Sequence, residues 1–176
     1  QLAEDLGAAR RAQEFLSPEP EGTIGAVSYE FQSFPGRVVA GDLFDIFELD
    51  GARTAFFLGD VAGKGVGAAV LMAAAQSQLR THLLSGRELA DAVAEVNREL
   101  FRRTDPSKFI TLIAGVIDMD GRTLEIVDAG HGFCAVVEPG QAPFRHHVGN
   151  GLPLGIVEDA EYEAHVRAFG AGSIVV

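Results

Sequence analysis

The stretch FFLGDVAGKGVGAAVLMAAAQ, residues 56–76, runs from an apolar strand-like segment into an aspartate, past glycines at 63 and 65, and directly into an alanine-rich helical segment. Strand, acidic residue, glycine-rich turn and helix in that order describe a binding junction. It either holds a phosphate through backbone N–H groups or a metal through Asp60. A phosphate loop requires G-x-x-x-x-G-K-[ST], whereas Gly59 and Gly63 enclose three residues and Lys64 is followed by Gly65. Gly63, Gly65 and Ala68 do satisfy G-x-G-x-x-G/A. The next segment is a second helix, however, not a strand ending in an acidic ribose ligand, so the βαβ context of a dinucleotide site is missing. The metal reading retains Asp60, where an apolar strand stops, and gains Asp42 in VVAGDLFD (38–45), which follows a glycine at the start of another strand. Two carboxylates on adjacent strands, with main-chain carbonyls and water, make an oxygen-only set suited to Mg²⁺ or Mn²⁺. Either aspartate alone is explained as readily by loop or helix capping; together they say more.

Composition narrows the class. The 176 residues carry 25 acidic against 14 basic side chains, a net charge of −11. That argues against nucleic-acid binding, which needs a basic footprint, and suits a protein that collects divalent cations. Cys134 is the one cysteine, so neither an intramolecular disulfide nor a thiolate zinc cluster is available, and a reducing cytoplasm fits. With no run of about 18 apolar residues, and a first 20 residues too charged for a secretory signal, the chain reads as soluble without a membrane span.

Along the chain, LAEDLGAARRAQEFL (2–16) places Leu2, Leu6, Ala9, Gln13 and Leu16 on a 4-3-4-3 seam, either a short coiled coil with a polar register residue or a lone amphipathic helix. Residues 23–34, 43–49 and 53–59 are strand-like, the last two joined by a turn at Asp50-Gly51, a favoured type I′ pair. Two helices follow. The first, 66–84, carries Val66, Ala69, Val70, Ala73 and Leu79 at helical spacing; the second opens with a Ser85/Glu88 capping-box pattern and aligns Leu89, Ala92, Val93, Val96 and Leu100. Strands at 109–118 and 122–128 flank a second Asp-Gly turn at 120–121, and EPGQ (138–141) turns a further pair. Strands, two helices, strands is an α+β order.

VAGDLFDIFEL…FFLGDVAGKGVGAAVLM resembles the SpoIIE/RsbU-type branch of the type 2C (PPM) metal-dependent serine/threonine phosphatases, with its GGDxxD strand and GDVxGKGxxAA strand-helix junction. VNREL, FITLIAGVID, EIVDAGH and GLPLGI continue the likeness in order, and ARRAQEFLSP looks like the family's linker helix. The resemblance implies an α/β/β/α sandwich of two antiparallel sheets flanked by helices, with residues 1–20 as linker and 21–176 as phosphatase domain. It implies two divalent cations, Mn²⁺ or Mg²⁺, bridged by Asp60, with the Val61 backbone carbonyl and Asp42 completing ligands, and a metal-activated water as nucleophile. It further implies that the other side of the metal pair is held by aspartates beyond the GSIVV strand. None follows Asp159 here, so the chain looks to lack the domain's C-terminal end and is expected to hold at most one metal well.

Asp45 matches the second Asp of GGDxxD but lies three residues along the strand, so it faces away from Asp42 and stands behind the ligands at best. Arg37 is a candidate phosphate binder, with an exposed loop arginine the plainer reading. Gly63 and Gly65 shape the loop. His131, Asn97 and Thr111 match family positions and read as structural, Cys134 as core; His146 and His147 receive no role, and Ala40 stands where the family has glycine. The implied substrate is a regulatory phosphoprotein such as an anti-sigma-factor antagonist, with an upstream sensor acting through the N-terminal helix and a homodimer possible through it. The competing reading is a catalytically incomplete phosphatase-like signalling module.

Overall fold

A computed structural model describes residues 2–32, 41–63, 65–105, 107–145 and 151–176. Helix α1 (Leu2–Leu16) precedes strands β1 (Glu21–Ile24), β2 (Val27–Glu30), β3 (Asp42–Glu48) and β4 (Arg53–Val61). Helices α2 (Val66–Leu84) and α3 (Leu89–Arg103) come next, then β5 (Ile110–Asp118), β6 (Thr123–Ala129), β7 (Ala135–Val137), β8 (Phe144–Arg145), β9 (His165–Ala168) and β10 (Ile174–Val175). The α+β order expected from the sequence is the order found.

The main sheet is antiparallel, in the order β3-β4-β5-β6-β9. Its strands β5 and β6 are buried on both faces, and strict alternation sorts the side chains of the sheet. Leu43 and Phe47 of β3, Ala55, Phe57 and Val61 of β4, and Leu112, Ala114 and Val116 of β5 form one core with α2 and α3. The alternate residues, Ile113 and Ile117 of β5 with Leu124 and Ile126 of β6, meet Cys134, Val136 and Phe169 in a second core. Above that second core lies a smaller antiparallel sheet, β10-β7-β8. The β1–β2 hairpin leans on the same side, Phe31 stacking on Phe44 with ring centroids 4.1 Å apart. Two sheets thus face each other across an apolar layer, with α2 and α3 outside the larger one.

Four local expectations are corrected. Within the strand-like run 23–34 the chain forms a hairpin, residues 21–30, folded back at Gly25 and Ala26 with Ile24 paired to Val27; the one glycine was too weak a turn signal to find it, and residues 33 and 34 lie outside the described residues. Neither Asp-Gly pair forms a type I′ turn. Asp50 instead accepts the N–H groups of Ala52 and Arg53 on its carboxylate, and at the second hairpin Arg122 takes the positive φ of 51°. Ser85 does not start α3: its hydroxyl donates to the His82 carbonyl, ending α2, and Glu88 occupies the α3 N-cap without a side-chain bond. On α2 the buried stripe is Ala68, Met72, Ala75, Gln76, Leu79 and Leu83, leaving Val66 and Val70 exposed. An alanine-rich helix has little amphipathic contrast, so its packed face is chosen by the sheet. The α3 stripe is buried as expected.

Asn97, on α3, is fully buried and binds one loop three times. Its Nδ2 donates to the carbonyls of Val157 and Glu158, and its Oδ1 accepts from the N–H of Gly155, at 2.8–2.9 Å. The loop in turn exchanges two backbone bonds between Leu154 and Ile110 at the start of β5. Asn97→Ala strands these polar groups and is expected to cost about 3 kcal/mol, lowering the melting temperature by roughly 10 °C. An unchanged midpoint in a calorimetric scan would mean that the loop is held by other contacts.

Candidate metal centre

The ladder register puts Asp42 of β3 directly opposite Asp60 of β4, and Asp60 directly opposite Thr111 of β5. All three side chains fall on the face carrying Phe44, Leu58 and Ile113, turned away from α2 and α3. Both aspartates are exposed. Like charges directly opposite each other across antiparallel strands repel, so the sheet holds this pair against a cost that a cation removes. A third oxygen joins them. The Val61 N–H donates to the Gly41 carbonyl at 3.2 Å, and a Cβ on Gly41 would lie 3.4 Å from both Asp60 Oδ1 and the Val61 carbonyl oxygen. Those two oxygens therefore flank the same space beside Gly41. Two carboxylates and a carbonyl are hard donors and fit part of the shell of Mg²⁺ or Mn²⁺. Among the described residues, no group of three or more His, Cys, Asp or Glu side chains converges, so the remaining positions would fall to water.

The chain leaves this point through the glycine junction. Gly63 has φ 114° and Gly65, the N-cap of α2, φ 85°. These values are open to glycine and strained for other residues. Gly63 is also crowded: a Cβ there would stand 2.7 Å from Lys108 Nζ. Lys108, 45 residues away in sequence, arrives because Val61 pairs with Ile110 at the start of β5. No local signal marks it, and the sequence reading passed over it.

Asp45 lies on the opposite face, as the three-residue offset requires. Its carboxylate accepts Arg80 Nη1 of α2 on both oxygens at 3.0 Å and the Ile46 N–H at 2.9 Å, with its side chain 5% exposed. The Arg80 guanidinium also covers the Phe47 ring at 4.3 Å. This pair clamps α2 onto β3 and does not touch the Asp42–Asp60 pair. Arg37, Ala40, Lys64, His146 and His147 lie outside the described residues.

His131 has a partner that sequence did not reveal, the Thr111 hydroxyl at 3.2 Å from Nδ1. Its loop is held by Asp128, a buried carboxylate that accepts the N–H groups of His131 and Gly132. The DAGHG spelling contains this motif, an aspartate capping N–H groups three and four residues on, although the sequence reading assigned Asp128 nothing. Cys134 is buried, and burial pushes its thiol up to about 11, so it supplies no thiolate near neutral pH.

The chain is similar in sequence and fold to known proteins. Residues 50–176 match the family model described as Stage II sporulation protein E (SpoIIE). The phosphoserine phosphatase RsbU of Bacillus subtilis (strain 168) is 27% identical over 159 residues, covering 87% of this chain and 44% of RsbU. The chain thus spans less than half the length of that curated relative. Among solved structures, the SiaA-PP2C domain of Pseudomonas aeruginosa shares the fold at a TM-score of 0.74 and 16% identity, over 98% of this chain and 69% of that one. The PP2C phosphatase domain of SpoIIE from Bacillus subtilis matches at a TM-score of 0.68 and 25% identity, over 78% and 39%.

The two faces of β3 predict opposite behaviour. Asp60→Asn should weaken Mn²⁺ binding roughly a hundredfold or more, since even partners one layer behind a ligand are worth 10–100-fold. In EDTA it should stabilise the fold by about 0.5 kcal/mol, by removing one of two opposed charges. Asp45→Asn should leave Mn²⁺ affinity near the parent's and cost about 2 kcal/mol of stability. Titration calorimetry and melting curves on the two variants separate the roles; parental Mn²⁺ affinity in Asp60→Asn would remove Asp60 from the ligand set.

Proposed function

Because the chain belongs to the SpoIIE family, within the SpoIIE/RsbU type of PPM phosphatases, we propose that it is a Mn²⁺- or Mg²⁺-dependent phosphoprotein phosphatase. Its substrate is a phosphoserine or phosphothreonine on a small regulatory partner, an anti-sigma-factor antagonist being the class the family suggests. The observation that carries the reading is the face-to-face Asp42–Asp60 pair with the Val61 carbonyl beside it. A phosphate monoester is itself anionic, and on a chain of net charge −11 it approaches two opposed carboxylates only with cations between them. Bound divalent ions supply the charge that neutralises the phosphoryl oxygens and activate the nucleophile for in-line displacement.

The chain's own part is positional. Asp42 and Asp60 hold cations where β3 and β4 meet, and Gly63 and Gly65 take the positive φ values by which the chain turns from β4 into α2. Lys108, laid against Gly63, adds a positive group on the phosphate's approach, a role the sequence suggested only for Arg37. No covalent phosphoenzyme on cysteine is needed, and the neutral, buried thiol of Cys134 agrees with that. The expected readout is Mn²⁺-dependent hydrolysis of a phosphoserine peptide, abolished by EDTA. Asp60→Asn should reduce it roughly a thousandfold, a loss of about 4 kcal/mol in transition-state stabilisation.

A second reading is favoured by one fact, that no third acidic side chain joins the pair among the described residues. A phosphatase-like signalling module, which binds without turning over, would show Mn²⁺ binding and no hydrolysis, and that result would replace the enzyme reading.

Residues 1–20 act, on this proposal, as a linker between the domain from residue 21 onward and an upstream sensor. Support comes from the α1–α2 contact: Gln76, buried on α2, donates its Nε2–H to the Leu16 carbonyl at 2.6 Å. The helix that receives α1 is the one that begins at the glycine junction. Phe15 beside that contact is 90% exposed, an apolar surface open to a second copy or to a sensor helix. No described helix is long and apolar enough to cross a membrane, and a cytoplasmic setting is proposed from the lone reduced cysteine. Light scattering at high concentration should give a dimer mass for the chain and a monomer mass after deletion of residues 1–16. Monomers in both samples would end the homodimer proposal.

A further inference from the structure

We propose that Thr111 and His131 are positioning residues that orient the Asp60–Val61 peptide, and with it the two oxygens that Asp60 and Val61 offer to a cation; the inference rests on the metal-dependent reading above. That peptide is gripped at both ends. Its N–H, on Val61, donates to the Gly41 carbonyl at 3.2 Å, and its C=O, on Asp60, accepts from the Thr111 hydroxyl at 3.5 Å. The second contact is long, and its strength depends on how the hydroxyl is aimed. His131 aims it. Thr111 Oγ1 has one proton, and if that proton points to the Asp60 carbonyl, the oxygen must accept from Nδ1–H of the imidazole 3.2 Å away. The imidazole is held in place from below: Asp128, buried in β6, accepts the N–H of His131 at 2.7 Å and of Gly132 at 3.1 Å, and the Phe133 ring meets the imidazole edge-on.

The relay thus runs from a buried carboxylate through a loop backbone, an imidazole and a hydroxyl to the main chain between two ligand oxygens. It resembles in kind the hydrogen-bonded layers that orient ligands at metal sites elsewhere. Thr111 occupies the third place in the Asp42–Asp60–Thr111 row and bears no carboxylate, so its contribution goes through Asp60 and not to the cation directly. Apolar valine would fill the same space. Only the hydroxyl distinguishes the two.

The test uses the whole chain and MnCl₂ as probe. Thr111→Val should weaken Mn²⁺ affinity 10–100-fold with a melting temperature close to the parent's, Thr111→Ser should return it to near the parent value, and His131→Ala should fall with Thr111→Val. In the unmodified protein, ¹⁵N shifts should show His131 protonated on Nδ1. Parental affinity in Thr111→Val, or no rescue by Thr111→Ser, overturns the inference while leaving the metal site intact. A neutral His131 protonated on Nε2 overturns it without any variant, because the hydroxyl would then donate to the imidazole. Absence of Mn²⁺ binding by the parent chain overturns both this relay and the functional reading it rests on.

Discussion

Two carboxylates held face to face across the β3–β4 ladder oppose each other, and the fold has to enforce that opposition. The means is register. Seven consecutive pairs, from Asp42↔Asp60 to Glu48↔Thr54, zip the two strands, and the alternate residues Leu43, Phe47, Ala55 and Phe57 are locked under α2 and α3. A slip of one residue would turn this apolar set toward the other face and carry the aspartates out of opposition. Burial of the helix-side face therefore sets the geometry of the opposite face. Asp45 reinforces this, since its bond to Arg80 ties β3 to α2 from the face opposite Asp42 and Asp60.

The same helix joins several parts of the molecule. It starts at the glycine junction, receives α1 through Gln76, and is clamped to β3 by Arg80, all within one rigid element. A displacement of α1 has a covalent and hydrogen-bonded route to the residues next to Asp60. The loop from Gly151 to Ala160 closes the other flank: Asn97 holds it to α3, and Leu154 pairs with Ile110, immediately before Thr111. Residues whose chemistry is modest thereby fix the backbone that carries Asp60 and the Val61 carbonyl.

Much of this was legible in the sequence because it is local. The α3 stripe, the strand-glycine-helix junction at Asp60 and the opposed facing of Asp42 and Asp45 follow from periodicities of 3.6 and 2, and the family pattern names the same residues. What was not legible depends on tertiary contact. Val66 and Val70 satisfied helical spacing on α2, yet the sheet selected Ala68, Met72 and Ala75, and of the expected positions Leu79 is the one that is buried. Ser85 and Glu88 spelled a capping box, but Ser85 bonds backward to His82. Lys108 and Arg80 gain their roles from strand pairing and helix docking, and nothing in their own neighbourhood marks them. His131 looked partnerless because Thr111 lies 20 residues earlier and meets it only when β5 and the loop after β6 come together.

The most direct test of the account is to locate a bound cation by its paramagnetism. Substoichiometric Mn²⁺ added to ¹⁵N-labelled protein should broaden the amide signals of Gly41, Asp42, Asp60, Val61, Ala62 and Gly63 first, with Thr111 next. Asp50 and Asp118, at the far end of the same sheet, should stay sharp. Broadening centred on that far end, or spread evenly over the acidic surface, would contradict the assignment of Asp42 and Asp60 as the metal-holding pair.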